Sequence, residues 1–357
     1  MSQTDRERLI AQVIEQHLKP HVRQIDEEGA YPVEYLRELG RQGLYYPSSE
    51  EGDGALIRDN VDLIRATSRR CLTTGFNVWC HLAAVTYVCI SGNEALRRQV
   101  LPGLLNGDLI GGTGLSNPMK YYAGLDRLYL RATRLESGGF EINGTLPMVS
   151  NLGPDHWFAA IAAAGEERVA FFVPCSLEGM KMTERTGYLG LNGSATYSCA
   201  FDRTNVPEEW VLAHDADQWV CDVRGIFILY QIPIGLGLVE AAVQSMRKSS
   251  NLQQGCNRYL KVQPEQLEEQ VNSLIDETHQ LALRGNVAEY WESVLQLRLR
   301  TAYLVLQAAQ YGMLHQGSAG YTQYSSASRR LREAYFFANL TPSVRHLEKL
   351  TQLAAAR

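Results

Sequence analysis

The sequence predicts an α+β protein in three parts: an N-terminal all-α domain over residues 1–112, a central small β-barrel or β-sandwich over 113–215, and a C-terminal four-helix-bundle domain over 216–357. Three observations predict it. Apolar residues in the first hundred positions recur at helical spacing. Near Asp108 the pattern changes to alternation punctuated by Gly and Asn. After Trp219 long apolar helical stretches return and run to the end.

In the first part, Leu9, Ile10, Val13, Ile14 and Leu18 mark one buried face of a helix, which Pro20 kinks or stops. Pro32 opens a second helix with Tyr35, Leu36 and Leu39 on one side, closed by Gly43. Helical spacing continues over Asp59–Cys71, Phe76–Ile90 and Asn93–Leu105. In the second part, Leu128–Arg134 alternates and Phe140–Ile142 follows a Gly138–Gly139 turn, the pattern of a hairpin. Trp157–Ala163, Val169–Val173 and Tyr197–Phe201 read as further strands, and Val206–Pro207 ends them. In the third part, helices cover Ile226–Met246 (kinked at Pro233), Gln266–Leu283, Val287–Leu314 and a pair within Ala327–Ala355.

At 357 residues the chain suits two or three packed subdomains, and 45% apolar with 20% charged residues is ordinary for a globular protein. A net charge of −5 without a basic stripe argues against a nucleic-acid partner. Seven scattered cysteines with no CxxC pair favour neither a disulfide framework nor a zinc site. His17 and His21 stand one helical turn apart on a face that reads as solvated, so no metal is expected. No apolar run reaches the roughly 20 residues needed to span a bilayer, and Met1–Arg8 is unlike a signal peptide. The expected location is the cytoplasm.

Four motifs stand in a fixed order. They are Gly92-Asn93-Glu94-Ala95 with Val100-Leu101-Pro102-Gly103-Leu104, Ser116-Asn117-Pro118 through Gly124-Leu125-Asp126, and Ile142-Asn143-Gly144 with Met148-Val149-Ser150-Asn151. The fourth is Gln316-Gly317-Ser318-Ala319-Gly320-Tyr321, followed by Arg332-Glu333-Ala334. In this order and spacing they resemble the acyl-CoA dehydrogenase family of flavoproteins across nearly the whole chain. The resemblance implies FAD as cofactor, an acyl thioester, free or carrier-bound, as substrate, and an electron-transfer flavoprotein or flavin reductase as redox partner. It also implies a homodimer or homotetramer formed through the last helices, with Tyr321, Tyr324 and Phe336-Phe337 as interface or core candidates.

By position in the resemblance, Leu115 and Ser116 face the flavin's pyrimidine edge, and Ser150 replaces the family's Thr beside N5. Met148 stands where the family has Trp. The competing reading makes Met148-Val149 core strand and Ser150 a turn residue. Gly317 and Ser318 correspond to positions that approach a partner subunit's cofactor, although Gly317 and Gly320 equally suit a helix end. Gln266 matches a later family Gln. Cys256 then takes the family's pyrophosphate Arg position, which Arg258 is placed to replace. Ser343 is assigned to the cofactor and Arg224 to the substrate on the same grounds.

The usual catalytic base is missing. Dehydrogenation needs a carboxylate to take the α-proton while hydride leaves the β-carbon, and Thr341-Pro342-Ser343 stands where the commonest pattern has Glu-Gly-Thr. The family's alternative base maps near apolar Phe227, and Asp222 is the one carboxylate candidate nearby; a cap or solvated residue is its other reading. The expected function is FAD-dependent oxidation of an acyl thioester with an atypical or relocated base. A flavin monooxygenase or oxidase on the same scaffold, and a catalytically silent binding paralogue, are the alternatives.

Overall fold

The structure is a computed structural model and describes residues 2–47 and 52–355. Helix α1 (Gln3–Val13) begins at Ser2, whose hydroxyl accepts from the Asp5 N–H. It passes into a π-turn over Ile14–Leu18 and a 3-10 turn over Lys19–His21 before α2 (Val22–Glu27). Pro20 is the cause: with no N–H and a ring against the preceding turn, it forbids a regular α-helix there. The expected kink is realised as a change of helix type. Helix α3 (Val33–Arg41) follows Pro32, and Gly43 at φ +69° turns the chain away after it.

Helices α4 (Asp53–Arg70), α5 (Leu72–Ile90) and α6 (Glu94–Asn106) complete the first part. Helix α5 carries no Asp, Glu, Lys or Arg, so it has no face for water and lies in the interior. Its first N–H groups would be costly to bury unpaired. Glu333, more than 250 residues away, supplies the cap: its Oε1 accepts from Leu72 N at 3.1 Å and Thr73 N at 3.4 Å. Farther along α5, His81 is fully buried. Its Nε2 lies 3.0 Å from Leu104 O, and its Nδ1 accepts from Gly111 N at 3.0 Å. The neutral tautomer with the proton on Nε2 satisfies both bonds, and burial pushes the imidazole pKa down to about 3.

The central part holds eight strands: β1 (Gly111–Thr113), β2 (Leu130–Arg134), β3 (Phe140–Val149), β4 (Trp157–Ala164), β5 (Glu167–Pro174), β6 (Met180–Glu184), β7 (Tyr197–Val206) and β8 (Val211–Ala213). They form one connected sheet in the order β6-β7-β3-β2-β4-β5-β8, with β1 parallel to β4. Phe171 on β5 meets Phe201 on β7 at 6.2 Å although three strands separate them in that order, so the sheet folds over on itself. Strand β4 shows the resulting two-sided burial. Phe158, Ala160 and Ala162 enter the β core, while Ala159 and Ile161 pack on the helices. A short helix α7 (Ser116–Tyr122) interrupts the strands.

Asn151 joins the parts. It is fully buried at φ +66°, a left-handed conformation that Asn tolerates better than most residues. Its Oδ1 accepts from Tyr31 OH at 2.7 Å, its Nδ2 donates to Gly111 O at 2.8 Å, and its backbone N–H reaches Ser194 O at 3.0 Å.

The last part comprises α8 (Ala216–Leu229), α9 (Ile232–Ser249), α10 (Pro264–Leu283), α11 (Trp291–Gln316), α12 (Ser326–Asn339) and α13 (Val344–Ala355). The stretch expected as one kinked helix divides at Tyr230–Gln231, with Pro233 in the first turn of α9. Ala216–Ser249 is long and apolar enough to cross a membrane, but 83% of its most apolar window is buried inside the protein. Gly237 lets α9 touch α4: a Cβ there would lie 2.4 Å from Arg65 O.

Two tests follow from this packing. Asn151→Ala loses three side-chain or conformational supports at once and is expected to cost about 3 kcal/mol in urea denaturation; a loss below about 1 kcal/mol would remove it as the joint. Because the folded pKa of His81 is depressed, the unfolded chain takes up a proton first as pH falls below about 6.5. Its contribution is therefore full above that pH and declines toward pH 3, by up to about 1.4 kcal/mol per pH unit. His81→Gln is expected to flatten the acid limb of stability against pH.

Candidate active site

A cavity of about 330 Å³ opens where the three parts meet. Its β wall comes from Thr113, Ser116, Met148, Ser150, Ser194 and Thr196, and its helical wall from α5, α8, α12 and the residues just after α12. Local structure explains the wall. The end of β1 and the end of β3 touch in an antiparallel bridge, Thr113 to Ser150, just before the Asn151 turn. The β3–β7 register shifts between Leu146 and Val149. Such a shift re-aims side chains: Val149 is fully buried in the core, while Met148 is 50% exposed and lines the cavity.

Hydroxyls dominate the polar part of the wall. Ser150 Oγ and Ser194 Oγ each lie 2.8 Å from Thr196 Oγ1, forming a short chain of hydroxyls. Thr113 Oγ1 pairs with Tyr87 OH at 2.9 Å, and burial holds that phenol well above its ordinary range. Across the cavity, Ser116 Oγ meets Thr341 Oγ1 at 3.0 Å. The Thr341 carbonyl accepts from Gln231 Nε2 at 2.9 Å, and Gln231 Oε1 accepts from Arg298 Nε at 3.1 Å. Arg298 is fully buried, donates to Phe337 O at 2.9 Å and stacks 3.8 Å over the Phe337 ring. Burial lowers its pKa to about 9, so it keeps its charge at neutral pH.

No carboxylate is among the described residues that line the cavity. Its one charged lining group, Arg332, is held in a two-point pair by Asp26 at 2.8 and 2.7 Å. A threonine hydroxyl beside a serine hydroxyl is no general base at neutral pH without an activating partner. What the cavity offers is apolar surface together with hydroxyl donors and acceptors. That combination fits a flavin ring, whose hydrocarbon face needs apolar cover and whose pyrimidine edge and N5 need hydrogen bonds.

Of the residues assigned from sequence, the structure brings Ser116, Met148, Ser150 and Thr341 to this cavity. Phe227, at the alternative base position, also lines it as an aromatic ring. Leu115 is fully buried beneath the wall. The others lie elsewhere. Asp222 is exposed and accepts from Gln218 Nε2 at 3.0 Å, because its side of α8 faces away from the cavity. Arg224 stacks 4.5 Å over Trp291 in a second cavity of about 360 Å³, which also includes Pro342 and His346. Arg258 is exposed and donates to its neighbour Tyr259, in a 3-10 segment over Leu252–Tyr259. Gln266 is taken up in a capping box with Gln263 at the start of α10. Gly317, at φ +59°, ends α11 with exposed Ser318 after it, and Ser343 begins the turn into α13. Phe337 is core, Phe336 lines the cavity, and Tyr321 and Tyr324 are exposed.

Sequence reasoning missed Phe76, Trp79, Thr196, Gln231 and Arg298. Ser194-Ala195-Thr196 carried a faint signal, two hydroxyls with one residue between them beside a strand. A lone buried Arg in a long helix carried none.

Residues 3–108 match the family model described as acyl-CoA dehydrogenase, N-terminal domain. The chain is 24% identical over 250 residues to an acyl-CoA dehydrogenase of Bacillus subtilis, a match covering 66% of this chain and 65% of that protein. It thus spans less than two-thirds of that relative's length. Among solved structures, butyryl-CoA dehydrogenase from Megasphaera elsdenii has a TM-score of 0.87 at 16% identity, covering 100% of this chain and 99% of that one. A glutaryl-CoA dehydrogenase from Mycobacterium smegmatis in complex with FADH2 has a TM-score of 0.76 at 19% identity, covering 100% and 96%. Dibenzothiophene monooxygenase from Paenibacillus sp. A11-2 has a TM-score of 0.79 at 15% identity, covering 98% and 96%. The chain therefore has the acyl-CoA dehydrogenase fold, and residues 3–108 are similar to that family's N-terminal domain.

The Ser116–Thr341 pair gives a direct test. Thr341→Val and Ser116→Ala are each expected to cost about 1 kcal/mol of stability and to lower turnover at least tenfold. Unchanged turnover in both would take the pair out of the chemistry.

Proposed function

We propose that this protein is a flavin-dependent oxidoreductase whose reaction takes no proton with a carboxylate of the cavity. The observation that carries the reading is the cavity itself: hydroxyls, apolar side chains and one neutralised arginine, with no carboxylate among the described residues that line it. Met148 and Leu189 would cover the ring of FAD, with Ser150, Thr196 and Ser116 at its polar edges. Bound there, FAD supplies hydride acceptance or, when reduced, activation of molecular oxygen. The chain's own part is to orient the ring, exclude water with buried aromatic side chains and hold hydroxyl protons at fixed positions.

Oxygen-dependent chemistry needs no base at Thr341, and a monooxygenase of the same fold supports that choice. A separate flavin reductase would then deliver electrons. Dehydrogenation of an acyl thioester is the second reading, supported by the sequence similarity to an acyl-CoA dehydrogenase; an electron-transfer flavoprotein would then be the acceptor. In either case we place a second copy against the C-terminal helices, where Tyr321, Tyr324 and Tyr259 expose large rings.

Purified protein with added FAD is expected to show the visible flavin bands. Under supplied reduced flavin, oxygen should enter an organic product when substrate is present and end as hydrogen peroxide when it is absent, and anaerobic acyl-CoA should leave the flavin unbleached. Bleaching by an acyl-CoA would favour the second reading, and failure to retain FAD would overturn both.

A further inference from the structure

The cavity has a rim and a floor of different character. Met148, Leu189 and Tyr335 line it while 50%, 70% and 54% exposed, so they stand at its mouth. Phe76, Trp79 and Phe227 line it while almost completely buried, and Phe336 closes the same end. These four rings come from α5, α8 and α12 and support one another. Phe76 lies 5.4 Å from Trp79 between ring centroids and meets Phe336 edge-on at 5.0 Å, while Trp79 meets Phe227 edge-on at 5.0 Å. The Trp79 indole N–H donates to Phe227 O at 3.1 Å, which fixes the ring and takes that donor away from the cavity.

This floor stops an extended chain. At about 330 Å³ the cavity is near the lower end of the roughly 300–1,000 Å³ range of small-molecule sites, and a cofactor ring would share it. Edge-on aromatic clusters present ring edges and faces that a further aromatic ring complements. With no carboxylate and no unpaired cation among the described residues that line the cavity, nothing there invites a charged group.

We infer that the substrate group held here is a compact aromatic or heteroaromatic ring resting on Phe76, Trp79, Phe227 and Phe336, with Trp79 setting the depth. The inference rests on reading this cavity as the reaction site. It names the substrate class of that site, and its test is independent of flavin.

The probes are indole and the octanoyl thioester of N-acetylcysteamine, titrated calorimetrically into the full chain with and without FAD. Indole is expected to bind at least tenfold more tightly than the thioester. Trp79→Leu should narrow that ratio at least fivefold by admitting the chain. Phe336→Leu, at a half-buried and more tolerant position, should narrow it in the same direction and carries the test if Trp79→Leu fails to fold. A thioester that binds as tightly as indole, or a ratio unmoved in the folded variants, would overturn the inference. Because binding is read on flavin-free protein as well, a failure to retain FAD would sink the functional reading alone.

Discussion

The rest of the structure depends on one buried amide. Asn151 takes a left-handed turn at the end of β3 and spends both side-chain hydrogen-bonding groups on other parts of the chain, Tyr31 and Gly111. The turn ends the strand that presents Met148 and Ser150, and it directs the backbone N–H to Ser194, beside Thr196. A buried polar group left unpaired is costly, so each of these bonds restricts where the others can be. The wall of the cavity is therefore fixed by the same residue that joins the helical and β parts.

Charge around the cavity is arranged with similar economy. Arg332 is neutralised by Asp26, whereas among the described residues Arg298 is held by the Gln231 amide, the Phe337 carbonyl and a ring face. A cation buried without a carboxylate is expensive, and here it stands behind Gln231, which grips the backbone of Thr341. Thr341 is thus positioned through its backbone by a charged scaffold, while its hydroxyl meets Ser116.

The three-part architecture was legible because its signals are periodic. Helix α5 reads as apolar on all sides, and β4 and β5 as short apolar runs bounded by turns. Ser116, Met148, Ser150 and Thr341 were legible because motif order assigned them positions that meet across the cavity. The rest depended on distances that no local pattern encodes. Arg258 and Gln266 look equally polar whether they meet a cofactor or cap a turn, and Asp222 differs from a site residue only in the side of α8 it occupies. Glu333 was noticed within a motif, but its role as cap of α5 depends on a contact with Leu72 and Thr73, far away in sequence.

The pair between Asp26 and Arg332 has a consequence for how the molecule is made. It links α2 to α12 across 306 positions, so Asp26 is without this partner until those residues have been added to the growing chain. Contacts of such separation close late, after local helices and hairpins have formed. The same holds for the Glu333 cap on α5. During synthesis the interior helix and one side of the cavity must therefore wait, with apolar surface uncovered, for α12, whose Glu333 is made 261 positions after the start of α5.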